Sequence, residues 1–564
     1  VATSVAVRPA PGTEILGKLR RIAREPVLAL TILAVAGLLF LLIVYPVSLV
    51  ALWGLRDQAG NFSIDNFAVL WQRPIVQKAI WNTFVLVLIS VPLGTIVATF
   101  VGYVLTCTDV PARRLMRILI TLPMIFPPFT GAMGLLMLFG RRGLITYDIL
   151  GLENFSIYGM HGIILLQTIE CIPLLSLIVS GTFAAISRDM EEAAEDLGAR
   201  RLRVLFTITF PLALPGILSA ALLHLISVIS DFGTPMIVGK GFSVLAVEAY
   251  SQIMYTYDLA LGTALCTALL VPALFGFIAY HYLLGRRSYV TVTGAARGPI
   301  IHTMPWFIKW LVFLFLCLIV FWNFSQLAVY FAGAFTKLFP RDLTFTLDHF
   351  QEWFRTTKQL QNSLSTSMAA ALAGGVLAAV LAYLVTKQDF PGRKLMDYIG
   401  TLPWGIPGTV KGVGYILAFN FAPFFWTGTY FILILVNIAR SIPLALRANV
   451  AALQQLDPSL DEASLDLGAS RVRTFVQIIL PLIRSSFILG IIYIFKDAMT
   501  NLSSAIMLIT PRTELVYTTM FANMTKGAQG DALALGLEIF LINIVLLLLI
   551  TRLTKRSPLE LFQI

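Results

Sequence analysis

The chain has 564 residues, of which 58% are hydrophobic and only 13% charged, with a mean hydropathy of +0.84. A water-soluble fold of this length cannot hide that much apolar surface, so the composition points to an integral membrane protein. The net charge of +11 would suit a nucleic-acid partner, but the surplus bases sit in alternate loops between apolar runs, which excludes nucleic acid and follows the positive-inside rule.

Residues 1–26 form a basic, polar tail. It contains Gly12-Thr-Glu-Ile-Leu-Gly17-Lys18-Leu19, which has the spacing of a phosphate-binding loop. Leucine stands where Ser or Thr would hold magnesium, however, and no strand precedes the run, so ATP chemistry is assigned to another chain. Apolar runs long enough to span ~30 Å of hydrocarbon follow at 27–53, 79–106, 118–140, 161–187, 204–238 and 259–285. A second set lies at 310–336, 359–386, 398–420, 424–446, 485–509 and 532–551. The first run is too long for a cleaved signal segment and reads as a membrane helix. The expected fold is therefore an all-α membrane protein of twelve transmembrane helices. It comprises the tail 1–26, a six-helix half 27–285, a linker 286–305 with four Gly or Pro residues, and a second six-helix half 306–564. Charge asymmetry between alternate loops places the tail, the linker and both termini in the cytoplasm.

The halves are repeats. Met190–Pro211 and Leu460–Pro481 share ten of 22 residues, among them Glu192/Glu462, Ala193/Ala463, Gly198/Gly468 and Pro211/Pro481. Elsewhere Asn82, Tyr103, Pro111, Pro123 and Pro127 match Asn362, Tyr383, Pro391, Pro403 and Pro407 at an offset of 280, which falls to 270 from Pro173/Pro443 onward. The ten extra residues lie in the external loop near 141–160, where an insertion leaves packed spans undisturbed. An even number of helices per half makes the repeats parallel, related by an axis along the membrane normal. Each charged stretch reads as a short amphipathic helix, about 187–199 and 457–469, ended by a glycine in the left-handed conformation and followed by a second short helix. Asp457-Pro458 supplies an N-cap and a proline at the first helical position.

Glu192-Ala193-Ala194, Gly198 and Ile208-Thr-Phe210-Pro211, with Glu462-Ala463-Ser464, Gly468 and Ile478-Ile-Leu480-Pro481, resemble the signature of permease subunits of bacterial ABC importers. Phe210 and Ser464 depart mildly from it. The resemblance implies a type I importer fold in the bacterial inner membrane, with Glu192, Ala193, Ala194, Gly198, Glu462, Ala463 and Gly468 in helices that couple to two copies of a cytoplasmic ABC ATPase. ATP and magnesium would be bound by those subunits, no cofactor by this chain, and an external (periplasmic) solute-binding protein would deliver the solute. The fused halves, with Leu402-Pro-Trp-Gly-Ile-Pro-Gly408 and Ser441-Ile-Pro-Leu444, are most similar to ferric-iron-type importers. Sugar-phosphate, phosphonate and thiamine importers have similar halves, and an ion-coupled secondary transporter is the alternative from another class.

Seven charged residues fall in or at the edges of the apolar runs: Glu170, Asp231, Lys411, Arg440, Lys496, Asp497 and Glu538. A charge at the bilayer centre costs ~3 kcal/mol even on mild scales. Such residues face a pathway or one another, or reach the interface from near a helix end, and the first six are taken as pathway candidates. Glu170 and Arg440 occupy one repeat position, each three residues before a proline, and are expected to pair across the pathway or to hold a solute between them. The four cysteines, Cys107, Cys171, Cys266 and Cys317, show no disulfide or metal-ligand spacing. No catalytic residue and no metal site are assigned.

Overall fold

The computed structural model describes residues 25–56, 61–127, 129–286, 301–457 and 459–554. The phosphate-loop-like run at 12–19, the remainder of the basic tail before Glu25, most of the linker, Pro458 and the side chain of Glu462 lie outside the described residues. Two short strands, Thr336–Leu338 and Asp342–Phe345, form one antiparallel hairpin, and the regular structure is otherwise helical.

Among the described residues, eight helices are long and apolar enough to cross a membrane: Pro26–Gly54, Pro74–Cys107, Arg201–Ser230, Leu259–Tyr282, Trp306–Phe335, Thr357–Lys387, Tyr430–Gln454 and Gln529–Leu549. Three further segments pass the same test only as bent pairs. Arg113–Ile125 and Thr130–Ile149 meet at 100°, Met160–Glu170 and Ile172–Ala184 at 42°, and Arg471–Leu482 and Arg484–Met499 at 83°.

Proline accounts for two departures from straight spans. The run at 118–140 breaks between Pro123 and Thr130, because a proline lacks the N–H of the helical ladder and its ring crowds the preceding turn. The matching run at 398–420 likewise divides into Arg393–Thr401, a 3-10 turn at Leu402–Gly405 around Pro403, and Gly408–Phe419 after Pro407. The helix expected at 424–446 begins instead at Tyr430 and continues to Gln454 with Pro443 inside it. The one expected at 485–509 ends at Met499.

Hydrogen bonds recur from one half to the other. Asn82 donates to the Ser243 carbonyl and Asn362 to that of Glu514, both with Nδ2. Thr83 Oγ1 accepts from the Leu245 N–H and Ser363 Oγ from that of Val516. Arg113 reaches the Thr108 carbonyl and Arg393 that of Gln388. Ala112 and Gly392, at one repeat position, both take positive φ, 49° and 88°, to turn the chain into the following helix.

The halves are also laced together beside the two charged stretches. His302 lies alongside Thr108 as a parallel bridge, and Asp109 accepts from Lys309 and from the Met304 N–H. That contact joins the end of one helix of the first half to the entry of the first helix of the second.

Candidate coupling helices and transport cavity

The charged stretches form the helices Arg188–Asp196 and Ser459–Asp466. Gly198 and Gly468 end them at φ of +84° and +82°, and a Cβ on either glycine would meet nothing within 4 Å. The backbone turn, rather than crowding, is what calls for glycine there. After each comes one turn of α-helix and then one π turn, Leu205–Thr209 and Phe475–Ile479. In both, the N–H just before the proline reaches five residues back, from Phe210 to the Leu205 carbonyl and from Leu480 to that of Phe475. Pro211 and Pro481 cannot donate to the carbonyl four residues earlier, and the wider turn is the local answer.

Met190, Ala193 and Leu197 present one outward stripe, and Leu460, Ala463 and Leu467 repeat it. The two leucines are each 89% exposed. Ile186, at the start of the same periodic face, is buried against the membrane helices, and Ala194 is half-buried. Each stripe is therefore apolar, protrudes, and is rooted in the fold at one end.

The carboxylates divide differently from the sequence reading. Glu192 makes an exposed ion pair with Arg188 one turn earlier. Glu191, next to it, is 4% exposed, accepts from Thr209 Oγ1 and lies 3.9 Å from His302 Nε2. At the same repeat position Asp461 lies 3.7 Å from Lys387 Nζ. The acid that anchors each helix is thus the one before the signature glutamate. The coincidence of Glu191 with Asp461 at offset 270 was the sequence signal for it.

All six pathway candidates line one cavity of about 1710 Å³. Phe129, Phe232 and Tyr517 also line it. Phe129, at φ +57°, stacks on Tyr517 from the other half with ring centroids 5.1 Å apart. Arg447, Ala451 and Gln454 line the wall toward the second charged helix. Glu538 is buried away from this wall.

The expected Glu170–Arg440 pair is not formed. Arg440 Nε donates to Asp497 at 3.0 Å, its Nη1 donates to Asn501 at 2.8 Å, and Ser441 donates to the same aspartate at 2.6 Å. Arg440 thus finds its partners within its own half, which spares a membrane-depth guanidinium the cost of isolation. Asp231 accepts from Gln167 Nε2 at 3.0 Å and from the Thr234 N–H at 3.1 Å. The repeat substitutes a neutral set at the same positions: Asn501 Nδ2 donates to Asn437 Oδ1 at 2.8 Å, and Asn501 Oδ1 accepts from the Ser504 N–H at 3.4 Å. Lys411 and Lys496 donate to main-chain carbonyls, of Pro403 and Met124, each at 3.0 Å. Among the described residues no group of three or more His, Cys, Asp or Glu is placed to hold a metal ion.

A helical membrane protein with a charge-lined cavity and two matched helical projections is a transport component. The chain belongs to the family of binding-protein-dependent transport system inner membrane components, whose profile matches residues 90–289 and again 371–557. It is 29% identical to a ferric transport system permease protein of Actinobacillus pleuropneumoniae, covering 97% of this chain and 81% of that one. With a putative ferric transport system permease of Haemophilus influenzae the identity is 31%, over 89% of this chain and 81% of the relative. A putative 2-aminoethylphosphonate transport system permease of Salmonella typhi is 24% identical, over 46% of this chain and 91% of its own length. The chain is accordingly a multi-pass ABC importer permease, a transport subunit and not an enzyme.

Proposed function

We propose that this chain is the fused, twelve-helix membrane subunit of an ATP-driven importer of ferric iron in a bacterial inner membrane. Each half contributes six helices, the tail, the linker and both termini lie in the cytoplasm, and the halves are parallel repeats spanning 27–285 and 306–564. An external binding protein delivers the solute to the side opposite the charged helices. Two copies of an ATPase, carrying ATP and magnesium, seat the stripes ending at Leu197 and Leu467. Their closure moves the helices rooted at Glu191 and Asp461, and the cavity walls with them.

The observation that carries the ferric reading is similarity along nearly the whole fused chain to permeases described as ferric, whereas the aminoethylphosphonate permease aligns with less than half of it. Glu170, Asp231, Lys411, Arg440, Lys496 and Asp497 form the pathway wall in this reading. The test is accumulation of radioactive ferric iron by cells expressing the complete system. Deletion of this chain is expected to abolish that uptake, and unchanged iron uptake with loss of a different solute would overturn the assignment.

A further inference from the structure

The cavity is electrically divided between the halves, and the division arises at matched repeat positions. Glu170 in the first half stands where the second has Arg440, and Asp231 where it has Asn501. Gly131 stands where the second has Lys411, and Ile226 where it has Lys496. Gly131 has a further part: a Cβ built on it would fall 1.9 Å from Glu170 Oε1. A position that holds a lysine in one half is stripped to a hydrogen in the other, and a carboxylate occupies the space.

Pairing within the wall leaves this division uncompensated. Arg440 is matched by Asp497 at 3.0 Å, and Arg447 by Asp397 at 3.0 Å. Lys411 and Lys496 hydrogen-bond to carbonyl oxygens and form no ion pair among the described residues. On the first-half side Asp231 is held by neutral donors, and Glu170 has no hydrogen-bond donor among the described residues. Two acidic side chains thus face the cavity from one half and two lysine side chains from the other. Both sides share one space, because Glu170, Asp231, Tyr517, Lys411 and Lys496 all line the same cavity. The wall also holds buried acceptors with no partner among the described residues, Gln167 Oε1 and Asn543 Oδ1.

Resting on the ferric reading, we propose that this cavity is a transit site for a ferric ion still chelated by a small oxyanion. The metal faces Glu170, Asp231 and the Tyr517 hydroxyl, and the anion faces Lys411 and Lys496. A hard trivalent ion takes oxygen ligands, and the first-half side offers them. A bare ion would leave both lysines opposing it, and a bare oxyanion would face the acidic side chains. A complex with its own internal charge separation satisfies both walls at once, and weak bonding to each side suits a site that must also release.

Vesicles containing the complete importer test this with two labels. Iron-55 is offered with phosphorus-33 phosphate in one arm and with carbon-14 citrate in another, and entry of both labels is followed. The expected result is ATP-dependent entry of iron together with the label of at least one anion, the arms distinguishing which. Lys411→Met with Lys496→Met should cut this co-import at least tenfold, whereas Lys411→Arg with Lys496→Arg, which keeps both charges, should retain most of it. Iron entering with neither anion label, the methionine variant importing at the parental rate, or the arginine variant failing as fully as the methionine variant would each overturn the proposal. Parental vesicles that import no iron would instead overturn the ferric reading beneath it.

Discussion

Arg471, in the turn after the second charged helix, closes on Glu25, 446 residues earlier at the entry to the first membrane helix: its Nε and Nη2 both donate to the carboxylate, the latter at 2.9 Å, and its Nη1 donates to Gln388. The matching Arg201 reaches Thr303, at the entry to the first helix of the second half, with one nitrogen donating to both its carbonyl and its hydroxyl at 3.3 Å. The turn after each charged helix is therefore strapped to the segment that leads into the other half. Arg471→Ala is expected to destabilise the protein by about 1 kcal/mol, the scale of a partly exposed bidentate pair, and to slow uptake. Arg201→Ala, which removes only bonds to neutral groups, should do less. Thermal unfolding in detergent beside uptake rates checks the order, and equal effects would contradict the asymmetry.

Gly198→Val with Gly468→Val should leave membrane insertion intact and abolish uptake. Positive φ costs an L-residue roughly 1–2 kcal/mol and a β-branched one resists it further, while the open space around both positions means that only the turn is disturbed. Insertion is read from membrane fractionation, and uptake near the parental rate would refute the lever role of these helices.

Glu191→Ala is expected to reduce uptake well below Glu192→Ala. The first removes the buried partner of Thr209 and His302, while the second breaks an exposed pair with Arg188 of the kind worth at most about 1 kcal/mol. Rates for the two single variants, normalised to membrane content, decide it.

Charge exchange between Glu170 and Arg440 is expected to fail, because a glutamate at position 440 would face Asp497. Arg440→Gln alone strands Asp497 and should cost roughly 1.5–3 kcal/mol, the scale of hydrogen bonds to a charged group in a partly buried pair. Arg440→Gln with Asp497→Asn should recover part of that stability. Unfolding temperatures of the three variants give the comparison, and a double variant no better than the single would break the pairing account.

The strap at Asp109 should depend on acidity. Its hydrogen bond from Lys309 holds the Asp109 carboxyl below the ordinary aspartate range. A group so depressed contributes stability in full above its unfolded pKa, ~3.9, and loses it as pH falls through the lower folded value. The unfolding temperature of the parent should therefore exceed that of Asp109→Asn at neutral pH, with the gap closing only below about pH 4. A gap that closes near pH 6 would point to a different group.

Much of this arrangement was legible because duplication makes a chain annotate itself. Gly198 with Gly468 marks both turns, whereas Pro123 and Pro127 with Pro403 and Pro407 lay in runs read as continuous spans, and Pro211 with Pro481 were read only as the ends of short helices, although the structure breaks or widens the helix at each. What stayed hidden depends on side-chain reach between distant segments. Arg440 could pair with Glu170 or with Asp497 as far as sequence spacing tells, and helix packing brings the aspartate to 3.0 Å. Glu191 looked like one more solvated acid in a charged run until the fold turned it toward Thr209. The strap from Arg471 to Glu25 has no local signature at all, since neither residue belongs to a motif that names the other.

The most direct measurement is ATP-dependent accumulation of iron-55 in vesicles containing this chain, its ATPase and its binding protein, compared with the variant Leu197→Asp with Leu467→Asp. Both leucines lie open at the ends of the matched stripes, so the substitutions spare the membrane core and place a charge where an ATPase would seat. The account predicts accumulation by the parent only with ATP, and none by the double variant. Accumulation without ATP, or at the parental rate in the double variant, would contradict it.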